Sequence, residues 1–285
     1  MVQGKENQKR SKMVQYAPVF GIVLIVSGLL LLLDQRIKTT WLSLSIPVVI
    51  SFILFVAGIV IRKLGWTISG LIMLGLSGFL FVMLLKSMPL RSELRLAIGF
   101  AFNALVWMMI FFNILFMCKR REWWSLLITA ICSGLAIVFF MQSKHLLDFI
   151  MLISVPLGLV FLLWGITEKK LGLIIPGSLI ATMGMGVYMG WRNSTQPEGL
   201  QESGTMLVWF ALGWMLIVVL SRVITKRFIW WPLIPGGIML MVGSGLYIGG
   251  NPGNTLDFLG NTGSIGLILF GIYLILLKFG MNNQD

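Results

Sequence analysis

Long apolar runs separated by short polar interruptions make up most of the chain, at about 17–33, 41–61, 64–85, 96–118, 123–142, 149–167, 171–191, 205–224, 228–249 and 264–280. A membrane-spanning helix needs about 20 predominantly apolar residues. The runs do not alternate in polarity as barrel strands do, and any other open chain in hydrocarbon would leave its backbone polar groups unsatisfied. The pattern predicts an all-α integral membrane protein of about ten transmembrane helices. Residues 1–15 read as a basic cytoplasmic N-terminus, 16–280 as a single membrane domain and 281–285 as a short C-terminal tail. Several runs are crowded with glycine, which costs helix stability in water but permits close helix approach in lipid.

The runs are not independent. When the chain is slid against itself by 107 positions, residues 58–131 match 165–238 without a gap. Gly58-Ile59 meets Gly165-Ile166, and Lys63, Leu64, Gly65, Ile68 and Gly70 meet Lys170, Leu171, Gly172, Ile175 and Gly177. In the next run Ala104, Leu105, Trp107, Met108 and Ile110 meet Ala211, Leu212, Trp214, Met215 and Ile217. Lys119-Arg120 with Trp123-Trp124 then meets Lys226-Arg227 with Trp230-Trp231. Aliphatic coincidences are expected between greasy helices, whereas tryptophans and basic pairs in register point to duplication. A second offset, of 59, sets Ile175-Pro176-Gly177, Gly184, Gly186, Tyr188 and Gly190 against Ile234-Pro235-Gly236, Gly243, Gly245, Tyr247 and Gly249. Helical hairpins are therefore the smaller unit. A hairpin holds an even number of spans, so its copies enter the bilayer in one orientation, as parallel rather than inverted repeats.

Composition agrees with lipid as the main solvent: 58% of residues are hydrophobic and 11% charged. The net charge of +12 would suggest nucleic acid in a soluble protein. Its distribution excludes that reading, because the basic residues gather in every second loop, as the positive-inside bias requires. With the N-terminus inside, fifteen lysines and arginines fall on the inner side, including Arg62, Lys63, Lys119, Arg121, Lys169 and Lys170; seven, including Arg91, Arg95 and Arg192, fall outside. Trp123, Trp124, Trp230 and Trp231 follow inner basic clusters, where an indole suits the headgroup level. Lys5, Lys9, Arg10 and Lys12 ahead of Ala17–Leu33 resemble the start of a signal peptide. The run ends in Leu31-Leu32-Leu33-Asp34 without a small-residue cleavage site, so an uncleaved first span is expected.

Candidate chemistry is sparse. His145 is the single histidine, in a short outer loop without the neighbours that a triad or metal site needs. Cys118 and Cys132 should differ in depth by more than ~10 Å and form neither a disulfide nor a metal motif. Asn103 and Asn113 are the strongest polar groups within a span and lie ~15 Å apart along a helix, which suits interhelical hydrogen bonding better than one compact site. Arg222 is near enough to Lys226 to snorkel to the inner headgroups. Pro47, Pro156, Pro176, Pro232 and Pro235 are expected to kink or start helices, the alternative being the broken helices of transporters. Asn193-Ser194-Thr195 matches a glycosylation sequon. Gly186 with Gly190, and Gly245 with Gly249, form GxxxG pairs expected to pack against a neighbouring helix toward the outer leaflet. These readings assign no catalytic, cofactor-binding or metal-binding residues and no cofactor.

Trp230-Trp231-Pro232-Leu233-Ile234-Pro235-Gly236-Gly237, together with the run from Gly21 to Gly28, resembles the LiaI/LiaF-type transmembrane region of bacterial cell-envelope proteins and related multi-span membrane proteins. The resemblance covers about the first and last thirds of the chain. It implies a helical membrane region and carries no functional residues with it. LiaF-type proteins also bear a soluble C-terminal domain, whereas the last apolar run here ends close to Asp285. The function expected is that of a noncatalytic interaction or regulatory protein of the bacterial cytoplasmic membrane, with both termini cytoplasmic. The expected partners are the lipid bilayer and another membrane protein or a second copy, without nucleic acid. The alternative is a small-solute transporter of drug/metabolite-carrier size, its substrate unknown.

Overall fold

In a computed structural model of the chain, the described residues are 21–22, 24–30, 32–34, 36, 41–84, 91–119, 121–143, 145–192, 199–225, 229–249, 260 and 263–264. The regular structure among them is helical, with no strand. The helices are α1 (Leu24–Asp34), α2 (Trp41–Val60), α3 (Leu64–Leu84), α4 (Ser92–Cys118), α5 (Trp124–Phe140), α6 (Leu146–Glu168), α7 (Leu171–Trp191), α8 (Leu200–Thr225) and α9 (Leu233–Gly249). Five of these, α3, α4, α6, α7 and α8, are long and apolar enough to cross a membrane, and α1, α2, α5 and α9 carry shorter apolar stretches. The 21 residues of α3 rise about 31 Å at 1.5 Å each, close to the thickness of a hydrocarbon core. The fold is that of a helical membrane protein. The N-terminal segment 1–15, the sequon and nearly all of the run at 264–280 lie outside the described residues.

The chain forms two compact units, Met1–Lys144 and His145–Asp285. In the first, α2 packs on α3, α3 on α4 and α4 on α5; in the second, α6 packs on α7, α7 on α8 and α8 on α9. Each set of four helices is thus a row in which every helix lies against its sequence neighbours. Short basic turns set this order. Arg62 after α2 and Lys169 after α6 adopt left-handed backbone, with φ of 53° and 54°. The amides of Arg62 and Lys63 donate to the carbonyls of Ile59 and Gly58, and those of Lys169 and Lys170 to Ile166 and Gly165. This is the Schellman arrangement, which satisfies carbonyls at the helix end, and a cation there also suits the negative end of the helix dipole.

Helix packing in lipid depends on close backbone approach, because hydrocarbon supplies no hydrophobic drive between helices. On Gly70 of α3 an added Cβ would come within 2.5 Å of the Phe55 amide nitrogen on α2; on Gly177 of α7 it would come within 2.7 Å of the Leu162 nitrogen on α6. The two contacts are equivalent under the 107-residue shift, as are Gly58 against Thr67 and Gly165 against Ile174. The tryptophans agree as well. The rings of Trp107 and Trp124 meet edge to face at 5.6 Å and 77°, those of Trp214 and Trp231 at 5.7 Å and 73°. Such contacts between aromatic rings favour the edge-on geometry because of their quadrupoles.

Between the second and third matched helices, α3 with α4 and α7 with α8, the sizes are exchanged. Gly99 of α4 receives the ring of Phe79 from α3, whereas Gly186 of α7, which matches Phe79, lies against the backbone of Met206, which matches Gly99, and the Trp209 side chain of α8. One turn away Gly75 of α3 faces Val106 of α4, whereas Gly213 of α8 faces Thr182 of α7. A small residue on one helix meets a larger one on the other in every case, which keeps the interface filled without overpacking. The core of the first unit gathers Leu71, Val106, Ile110 and Ile114, with Phe55, Leu64, Ile68, Leu74, Phe102 and Trp107 packed around it.

Candidate functional site

Polar side chains inside the helices are engaged mainly with carbonyls of their own helix. Ser154 Oγ donates to Ile150 O at 2.6 Å, Thr182 Oγ1 to Ser178 O at 2.8 Å and Ser244 Oγ to Leu240 O at 2.6 Å. This back-bonding is how a hydroxyl is accommodated in a helix without water. Some contacts cross between helices: Ser51 and Ser77 hydroxyls approach at 3.4 Å, Asn103 Nδ2 donates to Gly75 O on α3 at 3.2 Å, and Thr67 Oγ1 of α3 lies 4.0 Å from Met117 Sδ of α4. Gly75 has no side chain to cover its carbonyl, which allows the amide to reach it. Asn113, expected to act in the same way, instead donates to Met109 O of its own helix at 3.2 Å and lines a groove of about 450 Å³ with Ile59, Arg62, Phe116 and Met117.

Charge is concentrated at the helix ends. In the second unit Arg192, capping the end of α7, places Nε 3.1 Å from Asp148 Oδ1 in the first turn of α6. Asp148 is buried, and so is Glu202 in the first turn of α8, where Gly190 of α7 abuts the Glu202 backbone. The apolar runs at 149–167 and 205–224 leave both acids in outer loops, but α6 begins at Leu146 and α8 at Leu200. Carboxylates favour the positive N-terminal end of a helix, so an acid directly before an apolar run is the signal that extends it. The repeat holds another clue: Glu202 matches Arg95, which also has a buried side-chain atom.

The remaining candidates are dispersed. His145 is exposed and precedes α6 without a side-chain cap. Cys118 is exposed at the end of α4 and Cys132 half-buried within α5, both as free thiols. Arg222 is exposed in the last turn of α8. Helices α2, α6 and α7 run through Pro47, Pro156 and Pro176 without a break, and Pro232 and Pro235 sit at the start of α9. Trp124, Trp230 and Trp231 are exposed, whereas Trp123 is buried against Phe111, with ring centroids 5.8 Å apart. Gly186 packs against Met206 and Trp209 of α8 and Gly190 against Glu202, as expected of a packing motif. On α9 Gly245 is buried, while the close approach to Gly204 and Leu207 is made by Gly243.

Among the described residues, no group of three or more His, Cys, Asp or Glu is placed to hold a metal ion. A second groove in the first unit, about 490 Å³, is walled by apolar side chains of α4 and α5, among them Leu94, Ala97, Ile137 and Phe140. The arrangement is suited to joining helices and to receiving apolar matter between them. Comparison with protein-family models, curated proteins and solved structures gives no match.

Proposed function

We propose that this chain is a ten-span, noncatalytic interaction or regulatory protein of a bacterial cytoplasmic membrane, with both termini cytoplasmic. Residues 58–131 and 165–238 are parallel repeats built from helical hairpins. The observation that carries the functional reading is the use made of polar groups: within each row they bond to carbonyls or tie a helix to its neighbour, as Asn103 ties α4 to α3. A carrier needs polar groups converging on a path for its solute. The duplicated Trp–Trp contact and matched glycine seats support the repeat, and the fifteen-to-seven distribution of basic residues supports the orientation. The LiaI/LiaF-like stretch at Trp230–Gly237 fits the same cell-envelope setting.

The test is to purify the whole chain in mild detergent and weigh the particle by light scattering. A stoichiometric complex, with itself or with another membrane protein, is expected. A lone monomer that catalyses counterflow of a small solute after reconstitution would overturn the reading in favour of the transporter.

A further inference from the structure

We infer that the groove between the basic ends of α2 and α4 binds an anionic phospholipid, its phosphate held by Arg62 and its acyl chain lying against Ile59 and Phe116. The groove, about 450 Å³, is lined by Ile59, Arg62, Asn113, Phe116 and Met117, with no carboxylate among them. Arg62 is exposed, and no ion pair engages it among the described residues. Its left-handed backbone closes the Schellman turn at the end of α2, and the residue lines the groove. A guanidinium presents a planar fork of donors that matches a phosphate. Beside it Asn113 gives one N–H to Met109 O, and a primary amide carries a second that a phosphate oxygen can accept. Lys119 and Arg121, both exposed at the same end, add to the positive field.

The walls decide between a lipid and a soluble phosphate. Phe116 is 78% and Ile59 45% exposed, so the groove continues into an outward-facing apolar surface where a hydrocarbon chain gains contact and a small anion does not. The second unit supplies an internal comparison. At its matched positions stand Lys169 for Arg62, Leu220 for Asn113 and Val223 for Phe116, and Glu168 introduces a carboxylate that pairs with Lys170 at 2.6 Å. The fork, the amide and the aromatic wall are all missing there. The site therefore belongs to the first unit alone.

Native mass spectrometry of the purified full chain tests this, with phosphatidylglycerol, phosphatidylcholine, glycerol 3-phosphate and inorganic phosphate titrated separately. The first phosphatidylglycerol should bind roughly fivefold more tightly than the first phosphatidylcholine, the gain expected of one basic residue near an anionic lipid. Arg62→Gln should abolish the preference, and Lys169→Gln should retain it. Gln142 adopts the same left-handed backbone at φ 53°, so glutamine at position 62 keeps the turn. If Arg62→Gln nevertheless loses its helical circular dichroism, Asn113→Leu, which leaves the turn untouched, should weaken the preference instead. Retention of the preference in the folded variant, an equal loss in Lys169→Gln, or binding of either soluble phosphate as tight as that of the lipid would overturn the site.

Discussion

Asn103 and Asn113 carry the same side chain on the same helix and serve different ends. Asn103 reaches the Gly75 carbonyl across the α3–α4 interface, whereas Asn113 donates to Met109 O of α4 itself and lines a groove. An interhelical hydrogen bond in a membrane protein contributes about 0.6 kcal/mol on average and up to ~1.7. Asn103→Ala should therefore lower the thermal unfolding temperature in detergent measurably, and Asn113→Ala should leave it almost unchanged. Equal losses would show that the two amides are equivalent. The sequence places both residues on one long helix and anticipates interhelical bonding for both. It does not reveal the rotation of α4 against α3, which depends on the bare carbonyl at Gly75 and on Val106 filling the space beside it.

At the scale of elements, the exchange of large and small residues makes a coupled prediction. Gly99→Met in α4 should destabilise by about 1–3 kcal/mol, because its side chain would enter space held by the Phe79 ring. Adding Phe79→Gly reproduces the Gly186 and Met206 arrangement of the second unit, so the double variant should be more stable than the two single losses predict. A coupling of about 0.5–3 kcal/mol is expected from residues in contact, measured by a double-mutant cycle on thermal unfolding. Simple additivity would contradict the matched-interface account. Identities such as Gly70 with Gly177 and Trp107 with Trp214 made the repeat legible in the sequence, and the contacts of these residues agree in both units. The size exchanges were not legible, since Phe79 against Gly186 and Gly99 against Met206 look like mismatches until the facing residue is known. Hydropathy alone also misses a helix start that an acid opens: the apolar run begins at position 149, while Asp148 lies within α6, buried and paired with Arg192.

For the whole molecule, two physical facts govern the account: lipid-sized apolar helices and the basic turns that join alternate pairs of them. Because α2–α3 and α6–α7 are joined by the matched turns at Arg62 and Lys169, parallel repeats require both turns on one side of the membrane. The ends of α5 at Gln142 and the start of α8 at Gln201 then belong on the other side. All four reporter positions, Arg121, Gln142, Lys169 and Gln201, are exposed. The most direct test is cysteine accessibility in intact cells, starting from a Cys118→Ser, Cys132→Ser parent and using a membrane-impermeant thiol reagent. Gln142→Cys and Gln201→Cys should label from outside, while Arg121→Cys and Lys169→Cys should label only after the membrane is permeabilised. Labelling of Lys169→Cys in intact cells with Arg121→Cys protected would make the two units inverted and contradict the account.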